Sequence, residues 1–239
     1  MKRGKLLLVP VGIGATNASA MLPPDTLKQI NALDYFIAER AKTARAYLKS
    51  IGFVKAMASV QIAELNKHES EDYNALLNPC TNGFNCGLLS EAGVPGVADP
   101  GGGVIAAAHA RGIEVVPLIG PSSILLALMA AGMNGQRFSF HGYLPKESGE
   151  LIKELKRLEA ESMQHNVTQI FIETPFRNEK LKDKMLQSLN KNTRICLATN
   201  LTAPDQSIVS KTVVEMKKIK ISIDRKPTVF LMYAGKTVK

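Results

Sequence analysis

Leu88-Leu89-Ser90-Glu91-Ala92-Gly93-Val94-Pro95-Gly96-Val97-Ala98-Asp99-Pro100-Gly101-Gly102-Gly103 is the stretch whose reading decides the fold. It opens on the end of a short, wholly apolar run, Cys86–Leu89, of the kind that forms a parallel strand buried on both faces. Its glycines then lead into an apolar helical segment over 104–110, closed by Arg111-Gly112. Glycines at the carboxyl end of a parallel strand let a ligand come close to the backbone, whose amides can hold its polar atoms. A tight turn without a ligand would also use glycine. The density of Gly and Pro beside two carboxylates, Glu91 and Asp99, favours a ligand loop.

The same rhythm extends outward from this loop. Upstream lie an apolar run at Lys5–Val9 closed by Pro10-Val11-Gly12, a helix over 25–31, a strand at Tyr35–Ala38 and a helix over 42–50 ended by Gly52. A strand over 60–65 and a polar helix over 69–77 follow, and downstream a strand over 113–119 runs into Gly120-Pro121-Ser122-Ser123. Such alternation predicts right-handed crossovers and an open, mostly parallel sheet with helices on both faces. The second half has a different texture. It reads as a helix at Ser123–Ala131, a strand at Phe138–Tyr143, a charged helix over 150–161, a strand over 169–173, a helix over 178–189, and strands over 195–198, 207–214 and 229–234. Its closing strands lack a helix between every pair, so a mixed sheet is expected there. The fold class is therefore α/β with two α/β domains, 1–117 and 118–239, a size that suits 239 residues.

A hydrophobic content of 45% with 21% charged residues is that of a folded globular chain. The basic start, Met1-Lys2-Arg3-Gly4-Lys5, precedes an apolar run that stops at Pro10, so it is expected to be a first strand and neither a membrane span nor a leader. Cys80, Cys86 and Cys196 form no CxxC pair, which fits a reducing cytoplasm and predicts no metal site. The net charge is +9, and residues 142–239 hold 18 Lys/Arg against 11 Asp/Glu, an excess of 7. An anionic partner such as RNA would use that asymmetry, although a lysine-rich surface also serves solubility alone. His68, His109, His141 and His165 are scattered, and GxSxG, HExxH and the full phosphate-loop pattern GxxxxGK[ST] are absent. In the first loop Gly12 and Gly14 are followed by Asn17 where a dinucleotide-binding loop needs a third glycine.

Several segments, taken in order, resemble the motifs of a known family. They are Val9-Pro10-Val11-Gly12-Ile13-Gly14, Ala38-Glu39-Arg40 with Thr43 and Arg45, the stretch from Ser90 to Gly101, Val116-Pro117-Leu118-Ile119-Gly120-Pro121-Ser122-Ser123, Phe138-Ser139-Phe140-His141-Gly142-Tyr143-Leu144-Pro145-Lys146 and Ile172-Glu173-Thr174-Pro175-Phe176-Arg177. Together they are similar to the tetrapyrrole methylases, and within them to the branch that methylates ribose 2′-hydroxyls in small-subunit (16S) ribosomal RNA. The resemblance implies two α/β domains with S-adenosyl-L-methionine in the cleft between them, a homodimer, and ribosomal RNA or the small subunit as partner. By position it implies cofactor contacts from Pro10, Gly12, Gly93, Val94, Val97, Ser122, Ser123, Glu173, Leu201, Pro227 and Thr228. Glu39, Glu91, Asp99 and Glu173 are the candidate proton acceptors, and Arg40, Arg45 and Arg177 the candidate acceptor-binding cations. The chain departs from the RNA branch at Arg40-Ala41, at Glu91, at Val94 and at Leu201-Thr202-Ala203. The following Pro204-Asp205-Gln206 is closer to the tetrapyrrole enzymes, so methylation of a tetrapyrrole or other small anion, and a non-catalytic cofactor-binding relative, are the alternatives.

Overall fold

The apolar runs of the first half assemble into one parallel sheet. The structure, a computed structural model, describes residues 2–14, 18–65 and 73–235. Contacts within the chain divide it into two units, Met1–Ser122 and Ser123–Lys239. In the first, β1 (Lys5–Val9), β2 (Tyr35–Ala38), β3 (Gln61–Glu64), β4 (Cys86–Leu89) and β5 (Glu114–Pro117) lie in the order β3-β2-β4-β1-β5, every pair parallel. Successive side chains of a strand point to opposite faces, and here both faces are buried. Leu7, Val9, Phe36, Ala38 and Leu89 pack on one side with Ile30 of α1 (Pro24–Asn31) and with Ala44 and Leu48 of α2 (Ala41–Ser50). Leu6, Ile37, Cys86 and Leu88 pack on the other against a different set of helices. That double burial is why the strands read as continuous apolar runs.

The second face is covered by α3 (Tyr73–Leu76), α4 (Asn78–Thr81) and α5 (Gly102–Ala110). The polar helix expected over 69–77 is represented by α3, residues 69–72 lie outside the described residues, and α4 was not foreseen. Gly102 and Gly103 belong to α5 and not to the loop before it. A Cβ on Gly103 would stand 2.6 Å from the Tyr73 ring, so this glycine lets α3 close on α5. The segment after β5 stays with the first unit, because Leu118 N donates to Leu8 O (3.0 Å) and Thr26 Oγ1 to Ile119 O (3.0 Å).

The second unit opens with α6 (Ser123–Ala131) and carries a mixed sheet, β6-β7-β10-β8-β9. β6 (Phe138–Tyr143) and β7 (Thr168–Ile172) are parallel, whereas β10 (Thr228–Tyr233), β8 (Arg194–Thr199) and β9 (Ser207–Thr212) pair antiparallel. α7 (Ser148–His165) is longer than the charged helix expected over 150–161. Glu147 caps its start by accepting from Glu150 N, and Asn166 ends it in the left-handed conformation at φ 56°. α8 (Asn178–Ser188) packs beside it on the same core through Leu181 and Met185. The strand expected over 207–214 stops at Thr212, whose side chain forms a capping box with Glu215 and starts α9 (Val213–Met216).

Candidate functional site

Strand order decides which loops of the first unit become neighbours. β4 lies between β2 and β1. The chain leaving β1 or β2 passes to the face of α1 and α2, and the chain leaving β4 passes to the face of α5. Adjacent parallel strands whose connections part to opposite faces open a crevice at their carboxyl ends, where ligands of open α/β sheets bind. Four sequence-distant loops meet there. Pro10 and Gly12 follow β1, Glu39 and Arg40 follow β2, Glu91 to Asp99 follow β4, and Ser122 follows β5.

These loops are tied to one another by short contacts. Val11 and Gly93 exchange backbone hydrogen bonds, Val11 N to Gly93 O at 2.7 Å and Gly93 N to Val11 O at 3.0 Å. Gly93 adopts φ 72°, and a Cβ there would face Ile13 Cγ2 (3.7 Å) and the Pro121 carbonyl (3.8 Å). A Cβ on Gly120 would stand 2.3 Å from the Pro10 ring, so the loops after β1 and β5 touch only because position 120 has no side chain. The Tyr47 hydroxyl donates to Pro10 O at 2.6 Å, and burial pushes that phenol well above its ordinary range. Thr43 Oγ1 donates to Glu91 Oε1 at 2.7 Å, joining α2 to the loop after β4. Tyr47 was not singled out from sequence, and only its position one helical turn beyond Thr43 could have pointed to it.

The four candidate carboxylates differ in what already engages them. Asp99 Oδ1 accepts from Gly96 N (2.7 Å) and Gly101 N (2.8 Å), so it holds its own loop. Glu91 is exposed and takes the Thr43 hydroxyl, while Glu39 is half-buried beside Arg40, the residue that precedes α2. Arg40 and Arg45 are both exposed. Two large apolar residues also stand open at this edge, Val97 at 45% and Ile119 at 74% exposure. Unpaired apolar surface beside hydroxyls and carboxylates matches a ligand with an adenine ring, a ribose and an amino-acid tail, so these residues fit S-adenosyl-L-methionine.

In the second unit the remaining candidates gather at one end of the mixed sheet. β10 runs antiparallel to β7 and β8, so Glu173 after β7, Leu201 after β8, and Pro227 and Thr228 at the start of β10 share that end. Glu173 Oε1 accepts from Thr174 N (2.6 Å), Thr174 Oγ1 (3.2 Å) and Arg177 Nη2 (2.5 Å). Thr228 Oγ1 lies 3.2 Å from Thr199 Oγ1, and Leu201 is buried. Ser123 begins α6. Among the described residues no three His, Cys, Asp or Glu side chains group to hold a metal ion.

Comparison with known proteins agrees with this architecture. The family model described as Tetrapyrrole (Corrin/Porphyrin) Methylases matches residues 5–217. The chain belongs to the tetrapyrrole methylase family. Membership makes it a methyltransferase, as the order of its motifs implied. A relative from Escherichia coli O157:H7, "Ribosomal RNA small subunit methyltransferase I", is 31% identical over 207 residues, 86% of this chain and 68% of the relative. A protein of the same name from Vibrio cholerae is 33% identical over 160 residues, 66% of this chain and 54% of the relative. The fold is shared with the methyltransferase CobJ, at TM-score 0.63 and 17% identity over 96% of this chain and 94% of that one. Uroporphyrin-III-C-methyltransferase from Thermus thermophilus gives TM-score 0.57 at 17% identity, over 97% and 95% of the two chains.

Proposed function

We propose that this chain transfers a methyl group from S-adenosyl-L-methionine to a ribose 2′-hydroxyl of small-subunit ribosomal RNA. The observation that carries the substrate class is the similarity, over most of the chain, to relatives named for methylation of that RNA. The second half adds its excess of positive charge, which favours an anionic acceptor. When bound, the cofactor supplies an electrophilic methyl on a sulfonium, and the chain's task is to orient the acceptor and exclude water.

In this reading the carboxyl edge of the first sheet holds the cofactor, with Pro10, Gly12, Gly93, Val94, Val97 and Ser122 around it. Asp99 and Tyr47 fix the two loops that do so, through Gly96, Gly101 and Pro10. A ribose hydroxyl must lose its proton at or after transfer. Asp99 and Glu173 are committed to their own loops, and we assign that proton to Glu91, which is exposed at this edge beside Thr43. The working form is proposed to be a cytoplasmic homodimer, a state that sedimentation would test. No described helix is long and apolar enough to cross a membrane.

The deciding experiment is methyl transfer from labelled cofactor to small ribosomal subunits purified from cells lacking this protein. Label in ribosomal RNA, mapped to a ribose oxygen, is the expected result. Label in a tetrapyrrole offered in parallel, with none in RNA, would overturn the substrate class.

A further inference from the structure

Phe176 is the most exposed phenylalanine of the chain, at 71%, yet it stands on a rigid support. It occupies a tight 3₁₀ turn, Pro175–Arg177, which Glu173 and Thr174 join to the end of β7. Arg177 N donates to Thr174 O at 2.8 Å, and Arg225 N donates to Pro175 O at 3.1 Å, so the turn is pinned both to itself and to the segment before β10. The Arg177 guanidinium lies 5.6 Å from the Phe176 ring centroid and is held at 2.5 Å by Glu173. A second open aromatic, Tyr143 at 58% exposure, ends β6 in register with Ile172, the last residue of β7. Three cations accompany this edge. Exposed Arg225 and half-buried Lys226, the latter in a long ion pair with Asp205 at 3.9 Å, sit on the segment bonded to the turn, and exposed Lys146 follows Tyr143.

An apolar ring left in water forfeits the stabilisation of burial. A mobile loop tip would carry such a ring at little consequence, but a turn fixed by two backbone bonds and an ion pair holds the root of the ring in place beside the Arg177 guanidinium. Sequence-tolerant recognition of single-stranded nucleic acid combines those two elements, an aromatic face on which a base stacks and cations along the backbone path. We propose that Phe176 is a stacking platform for one unpaired base of the RNA acceptor, with Tyr143 beside it and Arg225, Lys226 and Lys146 facing phosphates. Arg177 sits against the ring and is committed to Glu173, which makes it a positioning residue for the platform. The inference rests on the RNA reading above and adds which part of the second unit grips the acceptor.

The chain contains no tryptophan, so Phe176→Trp installs a single indole, excited apart from the tyrosines, at the platform. The test uses the full chain and a short unstructured RNA oligonucleotide of mixed sequence, with the parent, Phe176→Ala, Phe176→Leu and Phe176→Trp. Loss of one stacked base should weaken binding about tenfold in the Ala and Leu variants. The salt slope should stay that of the parent because no phosphate contact is removed. Phe176→Trp should bind like the parent, and its emission should be quenched on adding RNA. Retained affinity in the Leu variant would reduce Phe176 to generic apolar packing and overturn the proposal. So would a loss of S-adenosyl-L-methionine affinity with RNA binding unchanged, which would assign the ring to the cofactor. A parent that binds with a steep salt dependence alongside an unaffected Ala variant would sink the platform alone. A parent that binds neither oligonucleotide nor small-subunit RNA would sink the RNA reading and the platform with it.

Discussion

Gly93 ties three loops together, and its replacement has a calculable consequence. At φ 72° any side chain incurs the left-handed penalty, about 1–2 kcal/mol. An alanine Cβ would meet Ile13 and the Pro121 carbonyl at 3.7 and 3.8 Å, ordinary contact distances, so Gly93→Ala should cost little beyond that strain. Valine adds two methyl groups in the same confined direction, and overpacking contributes roughly 1–3 kcal/mol more. Melting should fall by about 4–8 °C for Ala and about 8–20 °C for Val, at roughly 4 °C per kcal/mol. Because the Val11 and Gly93 backbones are doubly bonded, relief of the strain must displace the loops after β1 and β4 together. Cofactor affinity by titration calorimetry should therefore fall in the same order as melting temperature. A valine variant that melts with the parent would refute the strain argument. One that melts low but binds S-adenosyl-L-methionine normally would remove this loop from the cofactor site.

Three further outcomes follow from the packing and the charges. Gly103→Ala drives a methyl into the Tyr73 ring, so it should lower the melting temperature while cofactor affinity at the melting-free range stays that of the parent; a drop in affinity without destabilisation would return Gly103 to the ligand loop. Burial pushes the Glu179 carboxyl up, but the Lys182 ammonium and the Ile223 amide outweigh it and hold its pKa below the usual range. The carboxylate therefore stabilises the fold above the ordinary pKa of about 4.3 and loses that contribution as pH falls through its depressed value. Glu179→Gln should melt lower than the parent near neutrality and converge with it in acid, and a constant difference down to pH ~3 would contradict the linkage. Reversing Lys217, Lys218 and Lys220 to Glu should weaken RNA binding and lower its salt slope by about one unit per lost phosphate contact. These lysines are exposed around the end of α9, so unchanged binding would make them solvating charge only.

The parallel sheet was legible because β1, β2 and β4 are buried on both faces, and that environment selects apolar runs with glycine and proline at their ends. The helical assignment of Gly102 and Gly103 was not legible, since propensity argues against glycine in a helix and only the approach of Tyr73 explains it. α9 hides in a stretch of β-branched residues, where the capping box from Thr212 to Glu215 was the one local sign. Glu147 and Asn166 set the length of α7 by bonds that hydrophobic periodicity does not register.

For the candidate site the limit is of another kind. Residues 10–14, 39–41 and 90–99 each read as loops after a strand, and nothing in the spacing joins them. They become neighbours because β4 inserts between β2 and β1, a choice that must also leave both faces of the sheet filled. Gly87 shows one term in that choice. A Cβ there would stand 2.8 Å from Phe36 and 2.9 Å from Leu33, so glycine at this position lets those side chains pack directly over β4 where it pairs with β2. A residue buried in the middle of a strand, far from any ligand, thereby helps bring the Thr43 hydroxyl to Glu91 and the loop after β1 to Gly93. The crevice is a property of strand order, and glycines that permit close packing, such as Gly87, contribute to it alongside those that would touch a ligand.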